Sequence, residues 1–236
     1  KSVNGGRDWF GITNGSATTE FTSISPVNER FDVIYGTSEA DLQIIQTTDG
    51  GASWHPLFSL GPAAFEGNGF HRFSKVAVSQ SDPSVLYVGM SQIQNIGNID
   101  PDGQPSYGMF KSTDAGQHWF EVNTGIDQQS RIINTIAVHP HSPDTVYAGT
   151  LNNGIYKTVD GGQHWIVIPD GLGSSDIRSI AIDPENPDIL YAGSGDGSGI
   201  FKSEDGGDNW TACNYGIQIK CPSYLSAYGK AVEGMS

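Results

Sequence analysis

The sequence has 236 residues, including 31 Gly and 12 Pro, and only 36 % are hydrophobic, which is typical of one all-β domain with many short strands and turns. Its 12 Lys and Arg against 26 Asp and Glu give a formal net charge of −14. This balance argues against a nucleic-acid-binding protein and against binding to an anionic membrane, because both need clustered cations. The acidic residues are spread through the predicted loops, as expected of a soluble surface, and no run of ~18 apolar residues predicts a membrane-spanning helix.

A repeat begins near the first residue and is marked by the five tryptophans of the chain. They lie at positions 9, 54, 119, 165 and 210, with spacings of 45, 65, 46 and 45 residues. Each ends a phrase of the form Ser/Thr-x-Asp-Gly-Gly-x-x-Trp, at Ser2–Trp9, Thr47–Trp54, Ser112–Trp119, Thr158–Trp165 and Ser203–Trp210. Asn4 replaces the aspartate in the first phrase, and Ala115 replaces a glycine in the third. Five such phrases predict a repeat architecture.

The chemistry of the phrase predicts a structural role for its fixed residues. An Asp or Asn side chain accepts hydrogen bonds from backbone N–H groups of its own turn, glycine supplies positive φ, and tryptophan packs a large ring while its indole N–H needs an acceptor. We therefore interpret the following residues as turn-forming rather than metal-binding or catalytic: Asn4, Trp9, Asp49, Trp54, Asp114, Trp119, Asp160, Trp165, Asp205 and Trp210. His118 and His164, each next to a tryptophan, are predicted to lie on the surface of these turns.

The phrase resembles the Asp box, or BNR repeat, of sialidases, xyloglucanases, sortilin-type ectodomains and photosystem II assembly factors. The resemblance covers almost the whole chain and implies an all-β fold, the β-propeller. It does not imply one activity, because these families do unrelated things.

The pattern between the boxes is that of a propeller blade. In the last repeat, Ile177–Ile182, Ile189–Gly193 and Ile200–Ser203 are predicted strands A, B and C, and strand D begins near Trp210. The copies at Phe21–Leu60, Phe73–Gly125 and Ile132–Gly171 follow the same plan. Four antiparallel strands in each ~45 residues are the signature of propeller blades.

The two ends of the sequence predict how the ring is closed. Residues 229–236 followed by residues 1–6 match the run Gly149–Gly162 without a gap. We therefore expect one domain, residues 1–236, with five four-stranded blades, in which strands from residues 1–15 are completed by residues 216–236. The joined blade falls about ten residues short of a repeat, and a fragment of a six- to eight-bladed propeller is the alternative.

The two cysteines, Cys213 and Cys221, favour a local disulfide that would staple this shortened segment in an exported protein. Two buried thiols are the alternative. The predicted localisation is secreted or otherwise extracytoplasmic.

Two insertions interrupt the repeat and provide the candidate ligand-binding residues. One precedes strand A of the third blade, at Leu60–Arg72, and the other joins its strands B and C, at Ser91–Gly108. Both connections are expected on the face opposite the Asp boxes. Their aromatic and amide side chains suit a glycan or protein partner, although neutral loop drift is the alternative. The candidates are Phe65, Glu66, Phe70, His71, Arg72, Gln92, Asn95, Asp100, Asp102 and Tyr107.

No cofactor or metal site is predicted. Asp100 and Asp102 have the spacing of a calcium loop, but the later bidentate glutamate is missing. The chain also lacks the Phe/Tyr-Arg-Ile-Pro phrase of sialidases, and Arg131 and Arg178 occupy equivalent strand starts, so a structural role is expected of both.

A xyloglucanase-like glycosidase would need two carboxylates across a cleft. Glu66, Asp100, Asp102, Asp127, Asp176 and Asp196 lie outside the turn roles, but no pair is favoured. The favoured function is a non-catalytic, exported binding or assembly propeller for a glycan or protein. A glycoside hydrolase and a purely structural subunit of an extracellular assembly are the alternatives.

Overall fold

The computed structural model describes residues 21–27, 30–38, 43–59, 71–92, 108–127, 130–168 and 171–216. Within these ranges the chain is all-β, and sixteen strands form four antiparallel sheets of four strands. None of the described segments is a helix long and apolar enough to cross a membrane.

Strands follow one another in chain order within each sheet, so each sheet is a meander. The first sheet contains β1 (Phe21–Val27), β2 (Arg30–Ser38), β3 (Gln43–Thr47) and β4 (His55–Ser59), and the second contains β5 (His71–Val78), β6 (Leu86–Gln92), β7 (Met109–Ser112) and β8 (Phe120–Glu121). The third contains β9 (Ile133–Val138), β10 (Val146–Thr150), β11 (Ile155–Thr158) and β12 (Ile166–Val167), and the fourth contains β13 (Ile177–Ile182), β14 (Leu190–Ser194), β15 (Ile200–Ser203) and β16 (Thr211–Ala212).

The four sheets are propeller blades. The first strand of each sheet lies against the first strand of the next, β1 on β5, β5 on β9 and β9 on β13. The predicted four-strand repeat and the β-propeller fold are therefore confirmed. The count of five blades stays a prediction, since residues 1–20 and 217–236, which would supply the remaining strands, lie outside the described residues.

The core lies between successive sheets rather than within one of them. Between the third and fourth sheets, for example, Tyr147 and Ile155 of the third are buried against Ile177, Phe201 and Trp210 of the fourth. We call the face that a sheet turns toward the next sheet in the chain its leading face. Alternation of side chains along the strands places one apolar set on each face, and stacking the sheets buries both.

Hydrogen bonds join the innermost strands of neighbouring sheets. The Thr22 hydroxyl donates to the Phe73 carbonyl at 2.7 Å, and the Asn134 amide donates to the Ile177 carbonyl at 3.1 Å. Ser74 donates in the same way to the Ile133 carbonyl. These bonds are charge-neutral and repeat at equivalent positions, so they fix one register between the blades.

In the first three sheets, strand B carries a tyrosine that reaches the next sheet. Tyr35 donates to the Ala115 carbonyl at 3.3 Å, Tyr87 to the Pro143 carbonyl at 2.9 Å, and Tyr147 to the Gly206 carbonyl at 2.7 Å. All three acceptors lie in turns at one end of the neighbouring sheet. Burial raises the pKa of Tyr147 to about 12, with Asp208 and Asp188 adding to the effect, so the phenol stays a donor.

Lysines on strand C accompany two of these tyrosines. The ammonium group of Lys157 lies 5.7 Å from the centre of the Tyr147 ring, and that of Lys111 lies 5.4 Å from the centre of the Tyr87 ring. Lys157 also donates to the Gly206 carbonyl at 2.8 Å and pairs with Asp208 at 3.0 Å. Each tyrosine and lysine pair therefore ties its sheet to the next one.

Candidate functional site

The Asp boxes form hydrogen-bonded turns between strands C and D. In the last box, Asp205 accepts from the Asn209 backbone N–H at 2.9 Å with one carboxylate oxygen and from the Asn209 amide at 2.8 Å with the other. The Ser203 hydroxyl donates to Asp205 at 2.8 Å and accepts the Gly207 N–H at 2.9 Å. The same pattern recurs at Asp49, Asp114 and Asp160. Asn4 and Trp9 lie outside the described residues.

These hydrogen bonds favour the ionised carboxylates. Hydrogen bonds from Asn209 lower the pKa of Asp205 to about 2, and hydrogen bonds from His118 lower the pKa of Asp114 to about 2. The pKa values of Asp49 and Asp160 are lowered by Ser53 and His164 in the same way. The boxes therefore hold anions that accept hydrogen bonds from their own turns.

The residue just before each tryptophan takes part in the box, which sequence reasoning missed. The His118 ring lies 2.5 Å from Asp114 and the His164 ring 2.9 Å from Asp160, while Ser53 and Asn209 occupy the same place in two other boxes. Both histidines are exposed, as predicted. The recurring signal was a polar side chain at this position in every described box.

The indole N–H groups of the tryptophans donate to two kinds of backbone carbonyl. The indole N–H of Trp119 and that of Trp210 donate to the carbonyls of Gly116 and Gly207 in their own boxes, each at 3.0 Å. Trp165 instead donates to the Val122 carbonyl of the preceding sheet at 2.8 Å. The Trp54 ring packs against Phe21, with ring centres 5.0 Å apart.

Backbone hydrogen bonds place the boxes beside the turns between strands A and B. The residue after each box aspartate donates its N–H to this turn or to the start of strand B: Gly50 to Asp32, Ala115 to Ser84, Gly161 to Asp144 and Gly206 to Asp188. This end of the blades is the box face. Hydrogen bonds connect the turns of this face, and its carboxylates accept hydrogen bonds from their own turns.

The two insertions leave the opposite end of the second sheet from neighbouring points. His71, the first residue of β5, pairs with Gln92, the last residue of β6, and Arg72 pairs with Ser91. One insertion ends where β5 begins and the other starts where β6 ends, so both emerge on the same face, as predicted. We call this face, opposite the box face, the insertion face.

Most candidate ligand-binding residues lie outside the described residues, namely Phe65, Glu66, Phe70, Asn95, Asp100, Asp102 and Tyr107. For His71, Arg72 and Gln92 the structure gives the strand positions stated above. Their assignment to a ligand stays a prediction.

The base of the second insertion is held by Asn123. The Met90 N–H donates to the Gly108 carbonyl at 3.0 Å across the insertion, and the Met109 N–H donates to the Asn123 side chain at 2.7 Å. Asn123 in turn donates to Glu121 at 2.6 Å. The fourth sheet repeats this support, because the Ile200 N–H donates to the Asn214 side chain at 2.7 Å. Strand C therefore starts from a fixed point in both sheets.

A polar cluster occupies the insertion face of the fourth sheet. The Arg178 guanidinium pairs with Asp176, with distances of 2.7 and 2.9 Å to its two oxygens, and Asn134 of the third sheet donates to the same carboxylate at 3.1 Å. Asp196 accepts the Ser198 N–H at 2.9 Å. Burial would raise the pKa of Asp196, but hydrogen bonds from Ser198, Ser174 and Ser194 lower it overall.

The two carboxylates of this cluster are already engaged by neighbouring groups. Asp176 accepts from Arg178 and Asn134, and Asp196 accepts from Ser198. The neighbouring Tyr215 is fully exposed. Exposed aromatic and arginine side chains are enriched where proteins bind partners.

The two arginines at equivalent strand starts have structural partners. Arg131 lies 3.8 Å from Glu121 and donates to the Ile126 carbonyl at 3.5 Å, and Arg178 binds Asp176 as above. Among the described side chains, no three His, Cys, Asp or Glu residues come together as a group that could hold a metal ion. The Asp100 and Asp102 pair lies outside this set.

Cys213 is half-buried, and its backbone N–H donates to the Ile200 carbonyl at 2.9 Å. Cys221 lies outside the described residues, so the disulfide stays a prediction.

Solved structures with the same fold include a GH74 enzyme and YCF48. An ancestral GH74 enzyme aligns with a TM-score of 0.61 and 20 % identity, over 83 % of this chain and 24 % of that one. YCF48 from Cyanidioschyzon merolae aligns with a TM-score of 0.53 and 18 % identity, over 82 % and 55 %. YCF48 bound to D1 peptide aligns with a TM-score of 0.51 and 19 % identity, over 82 % and 54 %.

The present chain thus spans about a quarter of the GH74 enzyme and about half of YCF48. At these identities the likeness shows the fold. A comparison with curated proteins found no match.

The family comparison is more specific. The Sortilin-Vps10 model, described as sortilin, neurotensin receptor 3, matches residues 107–226, about half of the chain. This range includes the last three Asp boxes and the polar cluster of the fourth sheet. The chain therefore belongs to the Sortilin-Vps10 family.

Proposed function

We propose that this chain is a non-catalytic binding propeller that presents its insertion face to a polypeptide partner. The observation that carries the proposal is the pairing of His71 with Gln92, which brings both insertions to one end of the second sheet. Two adjacent loops on a rigid sheet can form a continuous contact surface, and such loops are where binding residues concentrate.

The box face is less suited to this role. Its carboxylates are occupied by hydrogen bonds within their own turns, so a ligand would have to compete with them. On the insertion face the Arg178 side chain is 54 % exposed although it pairs with Asp176. Such a partly exposed ion pair can add a hydrogen bond to a peptide carbonyl or carboxylate.

Two of the comparisons support the choice of a polypeptide partner. The family description names a neurotensin receptor, and one solved structure with the same fold is of YCF48 bound to D1 peptide. Both statements concern other proteins and support the class of ligand proposed here.

A peptide array and a glycan array probed with the full chain would test this proposal. We expect retained peptides and weaker binding after Arg178→Ala, with Glu185→Ala, at an exposed charged residue in a turn on the box face, as the control. Retention of glycans without peptides would overturn the choice of a polypeptide. Binding to neither array would favour the purely structural role.

A glycoside hydrolase is the second candidate, supported by the fold shared with a GH74 enzyme. Glu66, Asp100 and Asp102 are the carboxylates to test. Release of reducing sugar from a β-glucan, lost on Glu66→Gln, Asp100→Asn or Asp102→Asn, would establish hydrolysis and displace the proposal of a non-catalytic protein.

We also propose that the protein works outside the reducing cytosol. The Cys213–Cys221 disulfide is the testable consequence, since disulfides persist in oxidising compartments. Alkylation before and after reduction, followed by mass measurement, should show two thiols only after reduction.

A further inference from the structure

The leading face of the fourth sheet differs from those of the other three in its exposure. Ile200 is 37 % exposed, whereas Ile155, Met109 and Ile44 at the equivalent positions of the earlier sheets are each 0 % exposed. The register defines this equivalence, because Ile200 pairs with Gly193 of strand B just as Ile155 pairs with Gly149. The position is apolar in all four sheets, which indicates that this face of the fourth sheet is also buried by another segment.

The tyrosine of strand B shows the same contrast. Tyr191 is 42 % exposed, whereas Tyr35, Tyr87 and Tyr147 are 2 %, 0 % and 1 % exposed. The three buried tyrosines donate to backbone carbonyls in the turns of the next sheet. Tyr191 has the same strand position and the same lysine opposite it, since it pairs with Lys202 as Tyr147 pairs with Lys157.

We propose that the leading face of the fourth sheet, formed by Ala181, Tyr191, Ile200 and Lys202, binds an Asp-box hairpin, and that this hairpin is Ser2–Trp9 of the same chain. At the junction of the third and fourth sheets the shared acceptor is the Gly206 carbonyl, which receives both Tyr147 and Lys157. Gly5 has the place of Gly206 in the first box. Tyr191 and Lys202 are then the donors to the Gly5 carbonyl.

The charges at the fourth sheet favour this particular box, because Glu204 offsets a repulsion that Arg7 would otherwise cause. Lys157 pairs with Asp208, the residue after the two glycines of the last box. In Ser2–Trp9 that residue is Arg7, which would face Lys202 and repel it. Lys202, however, is already paired with Glu204 at 2.5 Å, and the Glu204 side chain is 71 % exposed.

Glu204 supplies the missing negative charge. The four other boxes carry Val3, Thr48, Thr113 and Val159 at the position of Glu204, so an acid occurs there only in the box whose sheet would meet Arg7. A carboxylate between a lysine and an arginine is stable because it accepts hydrogen bonds from both. Arg7 is thus assigned to pair with Glu204.

Charge reversal in the full chain tests the assignment. Glu204→Arg, which would place three cations together at the junction, should lower the thermal midpoint by roughly 2–4 °C, and adding Arg7→Glu, which restores opposite charges and the wild-type net charge, should recover most of the loss. Glu185→Arg, an exposed glutamate in a turn of the same sheet, is the matched control and should leave the midpoint unchanged. A Glu204→Arg variant that behaves like this control would overturn the proposal.

An apolar pair of variants tests the face without relying on charge. Ile200→Asp should lower the midpoint, whereas Ile166→Asp, at a position 65 % exposed on the third sheet, should not. Equal midpoints for the two variants would contradict a covered face at Ile200.

Sedimentation identifies the source of the box. The wild-type chain should sediment as a monomer, and adding the Arg7→Glu variant should not raise the lowered midpoint of the Glu204→Arg variant. Recovery of the midpoint on mixing, together with a dimer mass, would show that a second copy supplies the box and would overturn the assignment to the same chain.

Discussion

Tyr147 on strand B of the third sheet donates its hydroxyl to the carbonyl of Gly206 in the Asp box of the fourth sheet, at 2.7 Å. The same carbonyl accepts Lys157, whose ammonium group lies over the Tyr147 ring. An Asp box is therefore more than a turn of its own hairpin. In this box the carbonyl of the first glycine accepts hydrogen bonds from the preceding blade, so the turn that stabilises one sheet also joins it to its neighbour.

Tyr147→Phe tests this junction. The variant removes one of two donors to the Gly206 carbonyl, and because Lys157 remains, we expect a loss of about 1 kcal/mol in the free energy of unfolding. Chemical denaturation of the full chain measures it. Tyr215→Phe, at a fully exposed tyrosine, is the control and should change nothing. A neutral Tyr147→Phe would mean that Lys157 satisfies the carbonyl without help.

A backbone exchange at the boxes provides a second prediction. Ala115 has φ of 59° at a position where the last box has Gly206 with φ of 68°. A β-carbon is disfavoured in this left-handed region, so Ala115→Gly should stabilise the protein by roughly 0.5–1 kcal/mol. The reverse change, Gly206→Ala, should destabilise the protein by a similar amount. A β-carbon there meets no atom closer than 3.7 Å, so the backbone conformation alone, and no steric clash, sets the size of the effect.

Opposite signs for these two variants in the same denaturation experiment are the expected result. The same sign for both would show that packing around the boxes, rather than backbone conformation, controls the effect.

Acid should weaken the boxes in a defined range of pH. The pKa values of Asp114 and Asp205 are lowered to about 2 from the ordinary value of 3.8. A carboxyl group whose folded pKa is depressed binds more protons when unfolded, so its contribution to stability is present above its unfolded pKa and is lost as the pH falls through the folded value. We expect the thermal midpoint to fall between about pH 4 and pH 2 for this reason.

Asp205→Asn is the matched variant for the acid experiment. Asparagine keeps an oxygen acceptor and does not titrate, so the midpoint of this variant should depend less on pH between 4 and 2 than that of the wild type. Identical pH profiles for the two proteins would exclude Asp205 as a source of the acid sensitivity.

The local part of this architecture could be predicted from the sequence, whereas the contacts between blades could not. Asp205 bonds to Asn209 and Ser203, which lie within four residues of it, so the box phrase contains its own partners. Tyr147 and Gly206 are 59 residues apart. The repeated tyrosine on strand B and lysine on strand C were visible, but their partners required the arrangement of the sheets.

The candidate site was predictable in position and less so in chemistry. Alternation of up and down strands placed both insertions on the face opposite the boxes, and the pairing of His71 with Gln92 bears this out. Asp176, in contrast, was one of several unassigned carboxylates. Its partners Arg178 and Asn134 come from two different sheets, and only the packing of the sheets brings them together.

Shortening the second insertion separates binding from folding. The third sheet connects the same two strands through residues 151–154, and the Thr150 N–H donates to the Gly154 carbonyl as Met90 donates to Gly108. Replacing residues 91–107 with Leu-Asn-Asn, and keeping Gly108, should therefore preserve the fold and the thermal midpoint within a few degrees. Peptide binding should be lost. A variant that folds and still binds with wild-type affinity would remove this insertion from the site.

Hydrogen–deuterium exchange of the full chain, with and without a bound peptide selected on the array, locates the binding surface. We expect slower amide exchange at residues 60–72 and 91–108 and around Asp176 to Arg178 when the peptide is bound, with unchanged exchange in the box segments 112–119 and 158–165. Protection of the box segments, with the insertions unaffected, would contradict the assignment of binding to the insertion face.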